Sequence, residues 1–558
     1  MAQYSKLLSS YSKFTLALTL SLPALSLAQT ADWVFYNGQL ITMDEHQPKA
    51  QAMAISGNQI VAVGDNDSMA SFIGNATQKL DLQGKTIIPG LIDAHLHGIR
   101  GGRTYLFETY WYDVKNVDQA LNKLKQTAQT KPKNEWVAVV GSWIPEQLKE
   151  NRAPTMTELT QAAPDHPVYI QSNYDFAILN QKGIETLALN SPTPHIPKGI
   201  EIERNQQGQA TGKLTGNIGS YNQLFAQISQ DADVMQNLEA FMTALNSVGV
   251  TGFIDPSAGG DQAYQDIFTL QANHKTPKMR IAYRLSSTPN DEVNWFKERL
   301  AFTPPNFTYH NVTFLGLGEN LVMAMNDGVK QSNGFSSNDQ AKDKMYEILT
   351  LAAQKGTSVE LHAYTDDSAE GLLKVLEAVA EEHDITELRW SIAHLNTGSE
   401  ETLDRMKALG LSYSVQMGPY FETPAILKAT DSTTAQESSP IKKAMNKGIK
   451  VVGGTDATRI GIAGVWHAIE YHVTGKPLGN QVQKPNHSLL SIEDALKLYT
   501  INAAWIAKDE QYRGSLTQGK LADFVILDQD ILTVSPEKLS ETQSIITFVD
   551  GQPVYQAP

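Results

Sequence analysis

Ile87-Ile88-Pro89-Gly90-Leu91-Ile92-Asp93-Ala94-His95-Leu96-His97 carries an apolar run into two histidines placed two residues apart. Side chains two apart on a strand share a face, so both imidazoles can be offered to one ion. Alone the pair is weak ground: 13 histidines in 558 residues give about 0.3 such spacings by chance, the standing risk of a short motif. Its meaning rests on what the rest of the chain sets beside it.

Between about residues 88 and 500, short apolar runs alternate with helical patterns, the βα series of a parallel sheet or barrel. Val137 to Gly141, Val168 to Ile170, Gly252 to Asp255, Val312 to Glu319, Val359 to His362, Trp390 to His394 and Ile449 to Asp456 read as strands. Helical stretches such as Ser368 to Glu381 and Glu400 to Leu409 separate some of them. His362, His394 and Asp456 each close a run, and barrel enzymes carry their working side chains at that end of the strands. Imidazole and carboxylate donors suit Zn²⁺ and similar borderline ions, whereas Ca²⁺ and Mg²⁺ favour oxygen shells. Outside this middle, Trp33 to Met43 and Ala52 to Gly64 read as hairpin strands around Asn-Gly and Gly-Asn turns, and Ala522 to Leu527 and Ile545 to Tyr555 repeat the pattern at the far end. A small sheet domain built from both ends is expected.

With 41% hydrophobic and 19% charged residues, the chain has a globular composition and room for a catalytic domain plus an accessory one. A net charge of −15 argues against nucleic acid or an anionic membrane as the main partner, because like charges repel at long range. Cysteine is absent, which excludes disulfides, thiolate metal sites and a Cys nucleophile. Lys6 and Lys13, the apolar run Phe14 to Leu25 and Ser26-Leu27-Ala28 read as a signal peptide over 1–28. The run is shorter than the ~20 residues of a spanning helix and contains Pro23. The expected protein is exported, periplasmic and without a stable membrane anchor after cleavage.

On Lys85 to His97 and on Gly514-Ser515-Leu516-Thr517-Gln518-Gly519-Lys520-Leu521-Ala522-Asp523-Phe524-Val525-Ile526-Leu527, the chain resembles the amidohydrolase superfamily, specifically its YtcJ-like branch. The resemblance covers essentially everything after the signal. It implies an α/β fold: a distorted (β/α)8 TIM barrel over 88–507, with a small β-sandwich domain formed by the N- and C-terminal segments 29–87 and 508–558. It implies that His95 and His97 are first-strand metal ligands, His362 the fifth-strand ligand, His394 the sixth-strand ligand, and Asp456 the eighth-strand ligand and catalytic proton-transfer group. The implied cofactor is one or two divalent metal ions, above all Zn²⁺, which lowers the pKa of a bound water from 15.7 to about 7. Asp456 would move that water's proton to the leaving nitrogen. Where the common fourth-strand pattern has a lysine, this chain ends its run on Glu319, expected to be a bridging or terminal ligand. Lys330, the nearest later lysine, falls in loop-like sequence.

The expected reaction is hydrolysis of a non-peptide carbon–nitrogen bond, of amide or N-formyl type, in a small-molecule substrate. Its rivals are hydrolytic deamination of an amine-bearing ring and a barrel that only binds metal or ligand. Trp111, Tyr112 and Trp143 follow the first strands and are candidates to line a substrate pocket, although buried aromatics usually belong to the core. His467 and His472, five apart, diverge on a helix and read as structural. Gly316-Leu317-Gly318 lacks the third glycine of a dinucleotide fingerprint, and Gly-x-Ser-x-Gly does not occur. The branch often has a histidine before Asn180, where this chain has Tyr174-Asp175, so its substrate contacts are expected to differ. Substrate identity, the one-metal or two-metal question and homo-oligomerisation are left open.

Overall fold

Eight parallel strands wind around one axis: β1 (Leu91–Asp93), β2 (Val250–Asp255), β3 (Arg280–Leu285), β4 (Val312–Leu317), β5 (Ser358–Ala363), β6 (Ser391–His394), β7 (Ser412–Val415) and β8 (Val451–Gly453). Each pairs with the next, β1 through β8, and β8 returns to β1 through Ala94 N–H donating to the Gly453 carbonyl at 2.9 Å. The ring of strands is thereby nearly closed. This computed structural model describes residues 30–273, 278–287, 291–304, 306–329, 331–479 and 482–558. The signal peptide expected over 1–28 and Lys330 lie outside the described residues.

Strands covered on both faces read as continuous apolar runs, and β2 and β5 are buried at every position. The helix Val234–Ser247 packs on β2 and Asp366–Glu382 on β5; Asp366–Glu382 is started by Thr365 and its neighbour Glu400–Ala408 by Ser399, whose side chains accept the Ser368 and Thr402 N–H groups. Ile92, Ala94, Ile254, Ala282, Leu315 and Val452, on or just after five of the strands, pack into one apolar cluster with Ala503, Ala504 and Ile506 from the helix Ile501–Ile506. No helix among the described residues is long and apolar enough to cross a membrane.

Both chain ends build the accessory sheets. Thr86–Pro89, the strand that leads into β1, pairs parallel with Gln39–Ile41 and antiparallel with Phe524–Leu527. Ala52–Ser56 and Gln59–Gly64 form the expected hairpin, as do Ser544–Val549 and Gln552–Gln556. Trp33–Tyr36 and Gln39–Ile41 do not pair with each other. Asn37, in a left-handed conformation (φ 57°), turns the chain from a four-stranded sheet into a six-stranded one. Phe35, Phe524 and Phe548 join the two, with ring centroids 4.5–5.5 Å apart.

Val137–Val140 and Val168–Ser172, read from sequence as part of the barrel series, instead belong to a separate five-stranded sheet inserted between β1 and β2. They pair in parallel, and the chain then doubles back at Asn173 (φ 41°) into the antiparallel strand Phe176–Leu179. The resemblance to barrel strands has a physical cause. Val137, Val139, Val168 and Ile170 face one apolar core while Ala138, Val140 and Tyr169 face another, so these strands too are covered on both sides.

Candidate metal centre

The two histidines of the opening motif stand beyond the end of β1 rather than on it, and His97 is the residue that begins the short helix Gly98–Gly102. What aims them is the loop. The buried Asp93 carboxylate accepts the His95 and Thr455 N–H groups and the Thr455 hydroxyl, at 3.2, 3.0 and 2.6 Å, tying the end of β1 to the end of β8. The two rings lie 5.5 Å apart, nearly perpendicular. His95 Nδ1 pairs with Glu360 Oε1 at 2.8 Å and His97 Nδ1 with the Ser257 carbonyl at 3.2 Å. In each, the outer nitrogen is held and Nε2 is turned inward, the arrangement that orients a metal-binding imidazole.

Glu319 sits at the middle of the cluster. Its Oε1 is 3.3 Å from His97 Nε2, and its Oε2 lies 3.6 Å from His95 Nε2, 3.2 Å from His362 Nδ1 and 3.3 Å from His394 Nε2. Asp456 Oδ1 is 3.3 Å from His97 Nε2 and 3.9 Å from His95 Nε2, and its Oδ2 is 3.9 Å from His394 Nδ1. All six side chains are buried. Gly318, which precedes Glu319, packs so tightly that a Cβ there would run into the Pro256 carbonyl. The glycines of this segment thus serve close packing beside the cluster. His394 (φ 69°) and Asp456 (φ 56°) hold left-handed backbone that L-residues disfavour. The cost is absorbed by fixed partners: His394 N–H donates to Gln416 Oε1 at 2.7 Å and Asp456 N–H to the His95 carbonyl at 2.9 Å.

The electrostatics are those of a site that wants a cation. Burial and Arg100 both press the His97 pKa down, yet Asp456 and Glu319 lift it to about 9. Burial likewise opposes charge on His362, and Asp327 and Glu319 overcome it, raising the imidazole to about 10. His394 goes the other way, held down by burial and by neighbouring His362. Burial pushes the carboxyls up, but the imidazoles around Glu319 and Asp456 keep both below the usual carboxylate range, and His95 with Arg284 brings Glu360 to about 2. The residues fit a divalent metal on a direct observation. His95 Nε2 is fully buried with no hydrogen-bond partner, and an orphaned buried acceptor is costly unless something binds it. His95, His97 and Asp456, and again His95, Glu319 and His394, offer ligand atoms within 4.8 Å of one another.

The structure therefore gathers His95, His97, Glu319, His362, His394 and Asp456, and adds residues the sequence reading passed over. Glu360 stands two before His362 on β5, so strand alternation alone puts both on the interior face. Asp327 accepts the Tyr364 and Thr365 N–H groups at 3.1 Å and faces His362 Nε2 at 3.4 Å; it lies in irregular sequence with no pattern to mark it. Trp111 and Trp143 are corrected. Both are 0% exposed and packed on each other, ring centroids 5.1 Å apart, inside the core formed by the inserted sheet and the helix Val117–Thr130. Tyr112, beside them, lines a surface cavity with His467. His472 is buried against the Tyr499 hydroxyl at 3.1 Å, and burial lowers its pKa to about 3.

A model of the Amidohydrolase family matches residues 78–555. The chain is 24% identical over 550 residues to the N-substituted formamide deformylase of Arthrobacter pascens, covering 94% of this chain and 98% of that protein. It is 23% identical to the YtcJ protein of Bacillus subtilis strain 168, over 94% of this chain and 99% of that one. A solved structure of an uncharacterized metal-dependent hydrolase from Pyrococcus horikoshii OT3 shares the fold, with a TM-score of 0.64 and 20% identity over 90% of this chain and 99% of its own. The family match spans the barrel, the inserted sheet, the C-terminal strands and every residue of the cluster, and the chain accordingly belongs to the Amidohydrolase family.

Proposed function

We propose that the chain is a metal-dependent hydrolase that cleaves a non-peptide carbon–nitrogen bond of amide or N-acyl/N-formyl type in a small molecule, and that it works as an exported, periplasmic enzyme. The observation that carries this reading is the position of Glu319, whose two carboxylate oxygens lie 3.2–3.6 Å from inward-turned nitrogens of four buried histidines. Such a donor set suits Zn²⁺, and His95, His97, Glu319, His394 and Asp456 would hold one ion or two. When bound, a divalent ion supplies Lewis acidity toward the carbonyl and toward water. The protein supplies the rest. Asp456, ionised throughout the neutral range by the imidazoles around it, accepts a proton on its carboxylate and delivers it to the leaving nitrogen. Glu360 keeps the His95 Nδ1 proton in place and so fixes which nitrogen faces the site. The amide bond type is supported by the formamide deformylase likeness.

The test is metal analysis of the purified protein with a screen of N-formyl and N-acyl amines before and after chelation. Release of acid and amine, lost on chelation and restored by Zn²⁺, is the expected result. Ammonia from an amine-bearing ring, with no amide cleaved, would make it a deaminase instead, and full activity without metal would overturn the mechanism. Glu319→Ala is expected to lower metal content and activity together; unchanged values for both would remove Glu319 from the site.

A further inference from the structure

Residues that closely follow cluster ligands in the chain line a cavity of about 400 Å³, within the size range of small-molecule sites. The loops that present the cluster also form its wall. Arg100 and Arg103 follow His97, Ala258 follows the Ser257 whose carbonyl holds His97, and Arg459 follows Asp456 by three. Phe225 and Asn222, from the helix Ile218–Ile228 of the insertion, close the far side. In a chain with a net charge of −15, the described lining of this cavity has three arginines and no carboxylate.

The three arginines are not equivalent. Arg459 is buried and paired bidentately with Glu108 at 2.8 and 3.0 Å, and Arg103 is paired with Asp266. Arg100 has no carboxylate within ion-pair distance among the described residues. Asp255 feels its charge, but the Asp255 oxygens already accept the Ile99 and Ser257 N–H groups at 2.8 and 2.9 Å. Asn222 accepts the Tyr174 hydroxyl on its Oδ1 at 3.2 Å, which fixes the amide and leaves its N–H groups free to donate.

We propose that this cavity binds a carboxylate carried by the substrate, with Arg100 as the recognising cation and Asn222 as a second donor. The substrate class is then an N-formyl or N-acyl amine bearing an acid group, of the N-acyl amino acid type. A guanidinium offers a carboxylate two parallel N–H donors, and Arg100, unlike Arg103 and Arg459, is not already paired with a carboxylate among the described residues. The inference rests on the hydrolase reading above.

The test uses the Zn²⁺-loaded protein with N-formyl-leucine and its C-terminal carboxamide, which share size and scissile bond and differ in charge. The expected wild-type result is a kcat/KM at least tenfold higher for the acid, residing in KM. In Arg100→Gln that acid-to-amide ratio is expected to fall at least fivefold, and in Arg100→Lys to be partly kept. A wild type indifferent to the charge, or a ratio unmoved by Arg100→Gln, overturns the proposal. Binding of both compounds is measured in parallel by calorimetry. Tight binding of the acid that depends on Arg100, without turnover, would count against the hydrolase reading and uphold the cavity's role. Binding of neither compound would count against the cavity.

Discussion

β5 of the barrel and Val137–Val140 of the inserted sheet are both strands buried at every position, and they put their burial to different use. On β5, Glu360 and His362 face inward and meet His95 beyond the end of β1 and Glu319 beyond the end of β4. Val137–Val140 sends alternate side chains into two apolar cores, and only its last residues turn to the barrel. Ser142 donates its hydroxyl to the Thr458 and Gly461 carbonyls at 3.0 and 2.7 Å, and its N–H to the Arg459 carbonyl at 3.0 Å. The loop gripped in this way is the one that begins at Asp456. One set of strands carries the chemistry, and the other holds part of it still.

The sharpest way to break that division is Asp456→Asn. It keeps shape and removes the base, and kcat is expected to fall by about 10²–10⁴ with the melting temperature little changed; a loss under tenfold in steady-state kinetics would move proton transfer to another group. Glu360→Gln comes next, expected to weaken Zn²⁺ binding by about 10–100-fold in a chelator competition. Val139→Ala, its counterpart in the inserted sheet, is expected to cost about 1–2 kcal/mol of stability and leave Zn²⁺ affinity unmoved. Acidity sharpens the contrast further. His97 and His362, raised to about 9 and 10, stabilise the metal-free fold below their unfolded pKa, and this stabilisation is lost as pH rises through those values. Zn²⁺ must therefore displace protons near pH 7, and affinity should rise with pH up to about 9, by about tenfold per unit for each proton released; calorimetry in buffers of different ionisation heat counts them.

Smaller effects probe the clamp and the aromatic core. Gly141 has φ +77°, and a Cβ there would strike the Arg459 carbonyl. Gly141→Val is expected to displace the loop after β8 and lower kcat/KM by about tenfold, since small misplacements near a reacting centre cost up to ~10²-fold; equal loss of metal and activity would mean the fold itself had failed. Trp143→Phe removes the indole N–H that donates to the Gln171 carbonyl at 2.7 Å. The carbonyl keeps the Gly141 N–H at 2.9 Å, so the change should cost about 0.5–1.5 kcal/mol for the one lost hydrogen bond and leave KM within about twofold. A larger KM change would restore Trp143 to the substrate pocket.

The same contrast explains what could be read beforehand. Residues at strand ends were legible because β4, β5, β6 and β8 stop abruptly at polar side chains, and Lys85 to His97 is a specific enough stretch to carry the family. The inserted sheet was misplaced because two-sided burial gives the same apolar run whether a strand lies in a barrel or beside it. Trp111 and Trp143 show the limit for single residues: their sequence neighbours are the same for a pocket wall and for a core. Glu360 was recoverable from alternation, and Asp327 was not, since its place beside His362 depends on how an irregular loop folds back.

The seam between the chain's two ends also constrains how the molecule comes into being. Thr86–Pro89 leads directly into β1, and its antiparallel partner Phe524–Leu527 lies roughly 440 residues further on. At synthesis rates of about 5–20 residues per second, the earlier strand waits on the order of a minute for that neighbour. Such a long-range pairing makes for slow folding. Until the last strands emerge, Ile87 and Ile88, both 0% exposed in the finished fold, stand at an open edge, where a nascent chain invites capture by holding factors or by other strands.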